Sequence, residues 1–158
     1  MDIVGITWAR GFIRWSEVPT SKMRELDSPG LYGVLIAKYD PVAKTWSGYK
    51  LLYIGQSFDQ PLRIRIPQPH EAYACVQASL KNNPSYEVVV MIGIITSSST
   101  QSITQSLMND VECCLINSNQ PPCNAQCKDT YVGRDLQVTN AGDFAPLRKD
   151  SICKPTTQ

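Results

Sequence analysis

Glu112 stands where an acid is out of place. Ile103, Leu107, Val111 and Leu115 recur at four-residue spacing and predict a helix over roughly Gln101 to Asn117. Within it Met108, Glu112 and Ile116 form one ridge at i, i+4 and i+8, with Cys113, Cys114 and Leu115 around its middle. A carboxylate among apolar neighbours costs free energy unless a cation or hydrogen-bond donors neutralise it. Glu112 therefore reads either as a solvent-facing acid on the helix edge or as a carboxylate that binds metal. Upstream lie two tyrosine tripeptides, Gly30-Leu31-Tyr32 and Tyr53-Ile54-Gly55. Between them and Glu112 come Arg63, Arg65 and His70, the sole histidine of the chain.

These residues need elements to bring them together. Leu31 to Tyr39 is rich in β-formers and predicts a strand, and Leu51 to Ile54 predicts a second. Asp40 to Tyr49, with Pro41, Ser47 and Gly48, reads as their connection, so the two strands pair antiparallel and each carries one tyrosine. Gly55 to Pro69 is a polar loop, and His70 to Leu80 has helical spacing. Tyr86 to Thr96, apolar almost throughout, predicts a central strand covered on both faces. The expected fold is thus an α/β (α+β) domain whose small, mostly antiparallel three-stranded sheet is flanked by helices. Residues 1–27 are expected to be an extension packed on the domain, residues 28–124 its core, and residues 125–158 a polar tail wrapped over the surface.

The tyrosine pair, the polar loop, the helix and the acid, in this order, resemble the GIY-YIG nuclease superfamily over roughly Gly30 to Asn124. Gly30-Leu31-Tyr32 matches the first motif with Leu31 in place of the usual Ile, and Tyr53-Ile54-Gly55 matches the second. Glu112 is similar to the family's metal-binding Glu, and Asn124, after Pro121-Pro122-Cys123, to its final Asn. The family's Arg falls on Arg63 by simple spacing from Gly55. A two-residue insertion puts it on Arg65, which sets Leu62 three residues ahead of it and His70 after it; Arg65 is favoured and Arg63 is the alternative. The resemblance implies a metal-dependent endonuclease that hydrolyses DNA phosphodiester bonds. Mg2+ or Mn2+ on Glu112 would polarise the phosphate, which suits a site with one carboxylate and several waters. The Arg would hold the phosphate through its guanidinium fork. The base is expected to be a tyrosine, Tyr32 in preference to Tyr53, and His70 assists it or replaces it. Nuclease action on RNA or on branched DNA, and a nucleic-acid-binding module that has lost turnover, are the rival readings.

Composition bounds the partners. With 15 Lys and Arg against 14 Asp and Glu, the net charge is +1, which excludes a strongly basic nucleic-acid tail but not a local basic patch. Duplex DNA is the expected partner. The longest apolar run, Val88 to Ile95, has the length of a strand and not of a membrane span. Residues 1–14 carry charges around short apolar pieces and predict no signal peptide. The expected location is the cytoplasm, in a cell or on behalf of a phage or mobile element, with the six cysteines reduced. Their spacing fits no zinc finger.

Overall fold

The structure, a computed structural model, describes residues 1–70 and 72–157. Three of its strands fall where apolar and β-branched residues predict them: β3 (Gly30–Asp40), β4 (Thr45–Ser57) and β5 (Glu87–Ser98). β3 pairs antiparallel with β4 on one side and with β5 on the other. The sheet does not stop there. β1 (Asp2–Trp8) lies antiparallel to β5 and parallel to β6 (Leu136–Gly142), and β7 (Asp150–Cys153) adds antiparallel to β6. The short β2 (Ile13–Arg14) pairs with another stretch of β5.

This corrects the expectation of a small three-stranded sheet flanked by helices. The architecture is one seven-stranded mixed sheet in the order β4-β3-β5-β1-β6-β7, and strand outweighs helix. The physical reason is a period-two burial at both ends of the chain. Val4, Ile6 and Trp8 are buried while Ile3 and Thr7 are exposed, and Leu136, Val138 and Asn140 alternate with half-buried neighbours. Buried Trp8 and Asn140 satisfy each other, with Trp8 Nε1 donating to Asn140 Oδ1 at 2.8 Å.

Helices cover both faces. α3 (Gln105–Asn119) starts at Thr104, whose hydroxyl accepts the Leu107 N–H at 3.1 Å. It lays Leu107, Val111 and Leu115 on a core with Val4, Leu31, Leu35 and Met91. The opposite face of β3 and β5, with Tyr32, Val34, Val90 and Ile92, is covered by α1 (Leu62–Arg65), α2 (Tyr73–Lys81) and a segment before β3 anchored by Leu26. β5 is thus covered on both faces. α1 lies inside the stretch expected to be loop: Leu62 at its start and Ile66 just after its end are fully buried, which the polar and proline residues around them conceal.

The six cysteines are paired, which corrects the expectation of reduced thiols. Cys75–Cys123 ties α2 to the 120–127 loop, Cys113–Cys127 ties α3 to the same loop, and Cys114–Cys153 ties α3 to β7. Among the described residues no helix is long and apolar enough to cross a membrane.

Candidate active site

The site straddles β4, the edge strand. Tyr32 pairs across the ladder with Gly55, and Val34 with Tyr53, so the two tyrosines are diagonal neighbours and not a direct pair. Their ring centroids are 6.2 Å apart. A β-bulge sets this geometry. Between Val34 and Leu35 the β4 partners run from Tyr53 to Leu51, leaving Leu52 as an extra residue. Leu51 faces α3, whereas Leu52 and Tyr53 both pack on the α1/α2 side. Gly55 is required for the same reason: a Cβ there would collide with the Tyr32 ring and lie 2.5 Å from its hydroxyl oxygen. At Gly30 a Cβ would meet the Gly93 carbonyl oxygen at 2.5 Å. Both motif glycines therefore permit close approach, one of an aromatic ring and the other of a neighbouring strand.

Tyr32 is fully buried. Its hydroxyl lies 3.1 Å from His70 Nε2, and Arg65 Nη1 lies 3.4 Å from the same nitrogen. A guanidinium only donates, so Nε2 carries the lone pair and accepts from both, leaving the ring proton on Nδ1. Burial, with the charge of Arg65 second, lowers the His70 pKa and holds the ring neutral. Burial also pushes the Tyr32 phenol far above its ordinary value, and the Tyr53 hydroxyl that bonds it adds to the rise. Arg65 opposes the shift and does not overcome it. The rings of Trp15 and Tyr53 close on His70 edge-to-face at 5.8 and 5.4 Å.

The two arginines part company on α1. Residues two apart on a helix point about 200° apart. Arg65 turns to His70. Arg63 turns to the segment before β3, donating to Asp27 Oδ1 at 2.8 Å and to the carbonyls of Val18 and Ser21 at 3.1 and 2.6 Å. Arg63 is a clamp on that segment, and the structure does not bring it into the site.

Glu112 faces a cleft of about 420 Å³ between α3 and the 120–127 loop, which Tyr53, Asn109, Asn124 and Gln126 also line. Burial raises its carboxyl pKa from 4.5 to about 7, against the pull of Arg65. It makes no ion pair or hydrogen bond among the described residues. Such a carboxylate, with Arg65 acting across the gap, fits a hard cation that keeps most of its waters. Among the described residues that line this cleft Glu112 is the one carboxylate, so it would be the protein's charged ligand to such a cation. Asn124 does other work. Its Oδ1 accepts the Ile54 N–H and its Nδ2 donates to the Ile54 carbonyl, both at 2.9 Å, which closes the open edge of β4 and seats the loop. Cys123 N–H adds a bond to the Leu52 carbonyl at 2.8 Å.

Sequence reasoning missed Trp15 and Asn109. Asn109 Oδ1 accepts from Gln56 at 3.0 Å and from Gln105 at 2.8 Å at the rim of the Glu112 cleft. Its place three residues before Glu112, on the same helix face, was a readable signal. Trp15 had none, because it reaches His70 only through the path of the segment before β3. No family model, curated protein or solved structure matches the chain.

Proposed function

We propose that the chain is a divalent-metal-dependent endonuclease of GIY-YIG type that hydrolyses phosphodiester bonds in DNA. The observation that carries this reading is the meeting of Tyr32, Tyr53, Arg65 and His70 at one end of β4, with the half-buried Glu112, which has no ion pair among the described residues, across Tyr53 from them. An anionic phosphate seated between Arg65 and Glu112 would be held by the guanidinium on one side. A cation on Glu112 would supply Lewis-acid stabilisation of the charge that develops on oxygen.

The chain's own residues handle the proton. Tyr32 has no exposed surface, so the hydroxyl that meets the attacking water is that of Tyr53, which borders both the Glu112 cleft and the His70 side. Water gives its proton to Tyr53 Oη as Tyr53 passes its own to Tyr32 Oη and Tyr32 passes its own to His70 Nε2. The imidazole ends protonated, the hydroxide oxygen bonds to phosphorus, and the bond from phosphorus to the leaving sugar oxygen breaks, that oxygen taking a proton from solvent water. Arg65 disfavours that imidazolium, and the negative charge of the bound phosphate offsets it. The three disulfides favour an environment that keeps cystines oxidised, so we place the enzyme in such a compartment in preference to the reducing cytoplasm. The deciding experiment is incubation with plasmid DNA and Mg2+, with and without chelator. Nicking that the chelator abolishes is expected; intact plasmid at every metal concentration would reject the reading.

A further inference from the structure

A second cavity adjoins the site on the α2 side, and nothing in the proton relay uses it. It measures about 140 Å³ and opens between α2 and β4. Tyr53 and His70 form the wall it shares with the site. Trp15 and Tyr73 add aromatic surface, and Val76 and Val88 form an apolar floor. Gln77 is the one amide in the lining, and its side chain makes no hydrogen bond among the described residues.

A dry apolar cavity of about 150 Å³ holds one benzene-sized ring. This cavity has that size, aromatic walls and a single amide free to read a polar edge. It also lies one residue's width from the groups that would hold the scissile phosphate. We propose that it receives one unpaired pyrimidine base of the nucleic-acid strand, stacked on the Trp15, Tyr53 and Tyr73 rings and hydrogen-bonded by Gln77, so that the chain cuts next to a base outside the duplex. Base stacking on aromatic side chains tolerates any sequence, and an already unpaired base enters without the cost of leaving a stack. The substrate is then a strand with a local lesion, bulge or mismatch and not an uninterrupted duplex. This inference rests on the nuclease reading above and names its substrate class.

The test uses two short labelled duplexes that differ only by one unpaired thymine. Binding is measured by fluorescence anisotropy with Glu112→Gln protein, which leaves the strands intact, and cut positions are mapped with the unmodified chain. The expected result is about ten-fold tighter binding of the bulged duplex, with cleavage at the phosphate flanking the thymine. Val88→Phe fills the floor and should bring the ratio of the two affinities to about one. Tyr73→Ala, at a ring that is 59% exposed, should lower the same ratio without touching the core. Equal affinity for both duplexes in the Glu112→Gln protein overturns the base pocket and leaves the nuclease reading standing. Binding to neither overturns both.

Discussion

Glu112 carries a pH signature close to neutrality. Its folded pKa of about 7, against 4.5 ordinarily, means that between those values the folded state keeps a proton the unfolded chain has released. The contribution to stability is therefore full below about 4.5 and is lost as pH rises through about 7, on the order of 2 kcal/mol after allowance for partial exposure. A divalent cation favours the carboxylate, so Mg2+ should raise the melting temperature more at pH 8 than at pH 5. Glu112→Gln should abolish that difference, keep the fold and lower cleavage by orders of magnitude; scanning calorimetry across pH and single-turnover assays check each point, and wild-type rates in Glu112→Gln would refute the metal role. For the tyrosines, Tyr53→Phe should lose about 10²–10⁴-fold in rate. Tyr32→Phe should lose less and move the pH profile, because it cuts the link to His70 and leaves the hydroxyl that meets water. Full rates and unchanged profiles in both variants would assign the base to His70 alone. The composition and order of Tyr32, Tyr53, Arg65, His70 and Glu112 were legible in the sequence. The full burial of Tyr32 was not, because it follows from two layers of helix and strand that no tripeptide reports.

At the scale of elements, α1 decides what each arginine does. Arg65→Ala should reduce cleavage sharply with little change in melting temperature, since its one side-chain hydrogen bond among the described residues is to His70. Arg63→Ala should do the reverse: it leaves Asp27 and the carbonyls of Val18, Pro19, Ser21 and Met23 without their donor, lowers the melting temperature, and spares the rate measured on folded protein. An active-site defect in Arg63→Ala at unchanged stability would reverse the assignment. β3, β5 and α3 could be read from the sequence because a long apolar run or a four-residue period spans each of them. The bulge at Leu52 could not, since an extra residue in a strand leaves composition untouched while turning the side chains beyond it to the other face. α1 could not either, for four residues are too few to show a period.

The whole molecule depends on segments that looked peripheral. Both ends of the chain supply strands to the sheet, and two of the three disulfides fasten the 120–127 loop, one to α2 and one to α3. Reduction leaves the loop held by hydrogen bonds only: those of Asn124 to Ile54, of the Cys123 N–H to the Leu52 carbonyl, and of Asn117 to the Cys127 carbonyl. Dithiothreitol should lower the melting temperature, with the 48- and 39-residue separations of Cys75–Cys123 and Cys114–Cys153 contributing most in the chain-entropy account. It should also slow cleavage at temperatures where the protein remains folded. A rate and melting temperature indifferent to reductant would contradict this. The alternation in Val4, Ile6 and Trp8 and in Leu136 and Val138 was there to be read, but charged and turn-forming neighbours diluted it. The parallel pairing of β1 with β6 sets an order of events during synthesis. β1 is synthesised before either partner, meets β5 first, and waits for β6, which lies much later in the sequence. Until then one edge of β1 is an unpaired template open to other nascent chains.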